Sequence, residues 1–287
     1  MLSRGELAVC HCDYITATTT TLTRVIPSRG SAGVSAVTSL GDDVFVARYD
    51  SQQVEIYNAE TLTLRRRLTV PGLVLCPRGL AACPENSCLY ASEHEQNRVH
   101  RVDLSGSNAA KDWSVARGPA GLSVNGGHNL IVACHEDNKV QEYTTYGSLV
   151  REICLEAGVV RPWHAVQLST GDYAVSQNTS PGVVSVVGVD GKVLRGHGQS
   201  PTSSVGPMMH PSSLAVTRND DVVVADASNN RILLIKSSSG SVNELALSYD
   251  GRIDWPRALC LDESRGRLYV GECDGEHRVL MFHDIHL

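Results

Sequence analysis

The sequence predicts an all-β, six-bladed propeller, and three observations predict it. The prolines Pro77, Pro119, Pro162, Pro211 and Pro256 each open a short apolar run, at intervals of 42, 43, 49 and 45 residues. Self-similarity at such a period identifies a repeat architecture. Within each repeat the apolar runs are short, β-rich and separated by Gly, Asn, Asp and Ser, with no sustained helical spacing. Repeats of this length holding four strands have the dimensions of a propeller blade.

The first blade lacks the anchor proline. Asp42-Asp-Val-Phe-Val-Ala-Arg-Tyr-Asp-Ser-Gln-Gln-Val54 aligns without a gap under Asp220-Asp-Val-Val-Val-Ala-Asp-Ala-Ser-Asn-Asn-Arg-Ile232, which sets Gly33 at the anchor position. Blades therefore start near 33, 77, 119, 162, 211 and 256. In the fifth, Ser213–Val216, Val222–Ala225 and Arg231–Ile235 are expected strands, followed by a fourth through Val242–Leu247. The sixth has expected strands at Ala258–Leu261, Leu268–Gly271 and Val279–Phe282, after which the sequence ends at Leu287. The β-branched run 18–26 is the candidate for its missing fourth strand, which would close the ring and leave no sheet edge bare. Residues 1–17 are expected to form a loose N-terminal segment, and 18–287 the propeller.

At 287 residues, 42% hydrophobic and 20% charged, the chain can bury a substantial core. No apolar stretch approaches the ~18 residues of a membrane span. Glu6 and Asp13 interrupt the short apolar patch at the N-terminus, so no secretory signal is expected and the location expected is cytoplasmic. The nine cysteines include no Cys-x-x-Cys pair. Cys83, Cys88, Cys134, Cys154 and Cys260 fall in expected strands, where a free thiol behaves as a small hydrophobe. Cys83 and Cys88 flank one turn and could pair in an oxidising compartment. Cys10-His11-Cys12 is too tight to form a tetrahedral zinc site.

His210-Pro-Ser-Ser-Leu-Ala-Val216 and Val224-Ala-Asp-Ala-Ser-Asn-Asn-Arg-Ile232 resemble the NHL repeat. Tyr90-Ala-Ser-Glu-His-Glu-Gln-Asn-Arg-Val99 and Val132-Ala-Cys-His-Glu-Asp-Asn-Lys-Val140 carry weaker versions of the same pattern. The resemblance implies that Asp226, Asn229 and Arg231 are structural, holding the loop between second and third strands. The counterparts of Asp226 in the other blades are Arg48, Glu93, Cys134, Gln177 and Glu272.

Function is then expected on loops that the rigid ring holds on one face. Loops entering the blades carry Arg78, Trp163, His164, Ser212 and Arg257. Loops between second and third strands carry Tyr49, Asp50, Glu93, His94, Glu95, His135, Glu136, Asp137, Asn178, Asp274 and Glu276. This rim reads as acidic and histidine-rich. Arg78, Trp163, His164, Arg257, Tyr49, His94 and His135 are the candidate partner-binding residues, because an aromatic beside arginine anchors protein partners.

The resemblance implies a protein-recognition platform similar to the C-terminal NHL domain of TRIM-type ubiquitin ligases, where upstream zinc modules supply the ligase chemistry. No such modules precede the repeats here, no catalytic residue is assigned, and no cofactor is expected. The alternative is a metal-dependent lactonase of the gluconolactonase-like propeller type. It would hold calcium or another divalent ion through oxygen ligands, with Glu93, Glu136, Asn178 and Glu272 as the residues to test. RNA binding, known for some NHL propellers, is opposed by a formal net charge of −6 and by the acidic loops. The Arg65-Arg66-Arg67 run is expected on a solvated outer strand, and Asp190-Gly191 at a hairpin turn. Asn178-Thr-Ser180 is a glycosylation sequon that matters only for a secreted chain.

Overall fold

A computed structural model describes residues 20–28, 32–106, 109–198, 205–248, 251–285 and 287. Six sheets, antiparallel except for one short pairing at the closure, follow one another around a ring. Blade 1 comprises Val34–Leu40, Asp43–Arg48, Gln53–Asn58 and Leu64–Thr69. Blade 2 comprises Gly79–Cys83, Cys88–Glu93, Arg98–Asp103 and Ala110–Ser114. Blade 3 comprises Pro119–Val124, Leu130–Cys134, Lys139–Tyr143 and Leu149–Cys154. Blade 4 comprises Pro162–Gln167, Tyr173–Gln177, Val183–Val187 and Val193–His197. Blade 5 comprises Pro211–Val216, Val222–Asp226, Arg231–Ile235 and Val242–Glu244. The first three strands of blade 6 are Pro256–Asp262, Arg267–Glu272 and Val279–His283.

Each second strand is packed on both faces by neighbouring blades. That is why Leu130–Cys134 and Val222–Asp226 read as continuous runs instead of alternating, and both are buried throughout. Outer strands have no such cover: Leu149–Cys154 buries only Ile153, and the arginine run lies on the outer strand of blade 1. Cys154 is accordingly exposed, unlike Cys83, Cys88 and Cys134. Cys83 and Cys88 stand opposite each other in register across their hairpin, and both thiols are free.

The ring closes as the sequence predicts. Thr20–Ile26 pairs antiparallel with Val279–His283, with Ile26 opposite Val279 and Leu22 opposite Phe282, and becomes the fourth strand of blade 6. Residues 18 and 19 of the expected closing strand, like the N-terminal segment 1–17, lie outside the described residues. A core cluster of Ile26, Tyr269, Val279 and Met281 with Val44, Val46 and Tyr57 joins blade 6 to blade 1. One detail departs from the expected pattern. The last strand of blade 5 stops at Glu244, and Leu247–Ser248 crosses to pair parallel with Thr20 and Thr21. The closing strand would otherwise present an unpaired backbone edge, and Leu245 and Leu247 pack into the core between blades 5 and 6.

Among the described residues, no helix is long and apolar enough to cross a membrane.

Candidate functional site at the channel mouth

Two layers of polar contacts build one face of the ring. The outer layer joins each blade to the next. Asn97, Asn138 and Asn230 sit at φ of 54°, 50° and 56°, a left-handed conformation that asparagine tolerates better than most residues. Their side-chain oxygens accept from the backbone N–H of Gly118, Arg161 and Trp255 in the following blade. These are the residues just before the anchor prolines, so the last free N–H before each proline is satisfied. Blade 4 reaches the same end differently: the carbonyl of Thr179 accepts from His210 N–H.

The inner layer fastens each blade to its own entry loop. Asp226 accepts from Met209 N–H at 2.6 Å, Asn229 at 2.8 Å and Arg231 at 2.7 Å, and is fully buried. Glu93 does the same for blade 2, accepting from Val74 and Leu75 N–H while its other oxygen meets His100. Glu272 accepts from Asp254 N–H and Arg278, and Gln177 from Val160 N–H. In blade 3 Cys134 cannot serve, and Gln141 on the third strand accepts from Ala116 N–H instead. Blade 1 is the exception: it inverts the polarity and reaches the neighbouring blade, with Arg48 donating to Glu55 at 3.0 Å and to the carbonyl of His277 in blade 6 at 2.8 Å. Burial works to raise the Glu55 carboxyl, but bonds from Arg48 and Tyr57 hold it below its ordinary range.

His164 belongs to the channel wall. Leu214 N–H donates to its Nδ1 at 2.8 Å, so its Nε2 carries the proton and donates to the Leu122 carbonyl at 2.9 Å. One imidazole thereby ties the first strands of blades 3, 4 and 5, and burial lowers its pKa. Gly121 makes this possible: a Cβ there would lie 2.4 Å from His164 Cδ2. Ser92, Ser176 and Ser212 continue the wall, their hydroxyls donating to Ala120, Ser212 and Pro256 carbonyls in the next blade.

The mouth above this wall is built differently. The Arg257 guanidinium lies 4.2 Å from the Trp163 ring centroid and 5.8 Å from that of Tyr49, while Arg78 lies 5.1 Å from Tyr49. His135 meets Trp163 edge-on at 5.5 Å and His94 at 6.2 Å. Burial raises the Tyr49 pKa, although both guanidiniums oppose it. Burial lowers His94 and His135, and for His135 the nearby His94 and Arg161 add to the effect. Six of the seven candidate residues are thus one contiguous cluster, and the seventh, His164, lies beneath it.

Beside this cluster opens a cleft of about 680 Å³ lined by Arg78, His94, Arg117, His135, Glu136, Asn138, Val160, Arg161 and Trp163. Sequence reasoning missed Arg117 and Arg161, and its acidic rim needs correction here. Glu95 pairs with Arg78 at 2.9 Å and Asp137 with Arg117 at 2.8 Å. Among the described residues no carboxylate lies within ion-pair distance of Arg161 or Arg257. The nitrogens Arg78 Nε, Arg257 Nε and His135 Nδ1 are buried without a hydrogen-bond partner.

The candidate metal residues are dispersed. Glu93 and Glu272 hold entry loops, Glu136 lines the cleft, and the Asn178 N–H donates to the Arg161 carbonyl. Among the described residues, no three His, Cys, Asp or Glu side chains converge to hold an ion.

The sequence model of the NHL repeat matches residues 208–233, the end of the entry loop, the first two strands and the start of the third strand of blade 5. Comparison with curated proteins gives no significant match. Among solved structures, the chain is similar to Kuenenia stuttgartiensis hydrazine synthase, at 18% identity and a TM-score of 0.66, covering 89% of this chain and 78% of that one. It is also similar to a streptogramin B lyase, at 11% identity and a TM-score of 0.65, covering 91% and 96%. A catalytically inactive variant of virginiamycin B lyase from Staphylococcus aureus, with quinupristin, matches at 12% identity and a TM-score of 0.65, covering 91% and 98%. At these identities the likeness is one of fold.

Proposed function

We propose that the chain is a non-catalytic recognition platform that binds a protein partner through the channel-mouth face. The observation that carries this reading is the Tyr49, Arg78, Trp163 and Arg257 cluster, in which aromatic rings and guanidiniums stack at the centre of a concave face. Trp, Tyr and Arg are the residues that dominate protein-binding energetics. Exposed apolar side chains on the same entry loops, Val74 at 56%, Leu75 at 38% and Val160 at 40%, widen the surface a partner could cover. The resemblance to TRIM-type NHL domains extends the proposal: partner selection in the cytoplasm, with any ubiquitin transfer supplied by separate zinc-binding modules.

The lactonase alternative has less to draw on, since two of its four residues already hold loops. Trp163→Ala combined with Arg257→Glu tests the platform. Crosslinking capture from cell extract, quantified against the unaltered chain, should lose its partner while the thermal midpoint stays put. Capture that survives both substitutions would place binding on another face.

A further inference from the structure

We propose that the channel mouth contains an anion subsite: it seats one acidic group of a bound peptide, a carboxylate or phosphate, on Arg257 and Arg78, with Arg161 lining the adjoining cleft. This rests on the platform reading and names the chemistry it selects.

A guanidinium only donates hydrogen bonds, so the buried, unpartnered Nε atoms of Arg78 and Arg257 call for an acceptor. Burying such donors unpaired is costly, and none of the described residues supplies an acceptor for them. Arg257 is held over Trp163 and Tyr49 with no carboxylate within reach, and Arg161 lines the adjoining cleft in the same condition. A ring face attracts a cation without neutralising it, so the positive charge stays available. The mouth is concave, and His164, whose two nitrogens are already engaged, lies in the channel wall beneath it.

The same charges argue against a nucleic acid. The chain carries a formal net charge of −6, and Arg78 and Arg117 are already paired with Glu95 and Asp137, which leaves few free cations to track a phosphate backbone across the face. A single acidic side chain needs only the local charge of the mouth.

The test uses short fluorescent peptide pools with randomised flanks and a fixed central residue: Glu, phosphoserine, Gln or Lys. Each is titrated by fluorescence polarisation against the chain, Arg257→Gln and Trp163→Phe, with a single-stranded RNA oligonucleotide alongside. The Glu or phosphoserine pool should bind at least tenfold more tightly than the Gln pool, about 1.4 kcal/mol, because a charge-assisted bond is stronger than a neutral one. Which of those two pools binds better identifies the source of the anion. Arg257→Gln should erase the preference while leaving the thermal midpoint unchanged, and added salt should shrink it. Equal binding of the Gln pool, or a preference that persists in Arg257→Gln, overturns the anion subsite. If Gln or Lys peptides bind through Trp163 the platform survives without it. If no pool binds, both fall, and tight RNA binding replaces them with a nucleic-acid reading.

Discussion

Asp226 and Arg257 occupy the same face of the ring, each beside an entry loop, and their surroundings are opposite. Asp226 is 0% exposed and meets a donor from the backbone and from two side chains, closing blade 5 on itself. Arg257 stacks on two aromatic rings, and its Nε has no partner at all. Two histidines repeat the contrast. Both nitrogens of His164 are engaged across three blades, whereas Nδ1 of His135 is buried and unpaired. Residue type therefore does not separate scaffold from site in this molecule. For these four side chains hydrogen bonding does, although in the clamps Arg48 Nη2 and His100 Nδ1 are also buried without a partner.

The contrast breaks most visibly at the closed end. Asp226→Ala would leave Arg231 and the Met209 N–H without their acceptor, and breaking a buried pair costs about 3–5 kcal/mol. Chemical denaturation should report a loss of that size. A loss below about 1 kcal/mol would mean that blade 5 does not depend on its clamp. His164→Ala comes next. It strands the Leu122 carbonyl and the Leu214 N–H inside the wall, at about 1–3 kcal/mol for each buried group. This site also predicts an acid dependence. Burial lowers the His164 pKa, so the neutral imidazole's contribution is fully present above about 6.5 and is lost as pH falls below it, because the unfolded chain takes up the proton first. Stability against pH should be flatter in His164→Gln; an identical slope would assign the acid dependence to other groups.

The closed end was also the more legible one. The Asp226, Asn229 and Arg231 pattern announces its clamp because donor and acceptor recur at fixed spacing on one hairpin. Blade 3 hides the same device: with Cys134 at the acceptor position, Gln141 reaches the Ala116 N–H from the neighbouring strand, equivalent in space but displaced in sequence. The crossing of Leu247–Ser248 was hidden for a related reason, since the free edge that attracts it belongs to a strand more than 200 residues earlier. At the open end, composition misled. Counting carboxylates gave an acidic rim, but Glu95 and Asp137 are matched to Arg78 and Arg117, and that pairing exists only in three dimensions. Arg161 escaped notice because a residue before proline is ordinarily extended, whereas here it adopts a φ of 53° and lines the cleft.

The open end should respond least in stability and most in binding. Arg257→Ala removes two ring contacts but, among the described residues, no ion pair or hydrogen bond, and its effect on unfolding should stay within about 1 kcal/mol, the scale of partly exposed cation–π contacts. A loss comparable to that of His164→Ala would make Arg257 a structural residue and dissolve the contrast.

A subtler measurement uses the paired histidines. Burial lowers both, Glu95 and Glu136 pull His94 upward, and Arg78 pushes it down; His135 is lowered further by His94 and Arg161 and raised by Glu136. Both rings are therefore predominantly neutral at neutral pH. An anion seated at the mouth favours their protonated forms, so its binding takes up protons, and affinity must rise as pH falls below about 6.5. Affinity of the Glu-bearing peptide should be level between pH 8 and 7 and strengthen by severalfold toward about pH 5.5, where histidine titrates and a glutamate side chain remains ionised. His94→Asn with His135→Asn should flatten that rise. An affinity that weakens in acid would mean that the mouth prefers its histidines neutral, as it would for an apolar or cationic group, and the unpaired nitrogens would then need a different occupant.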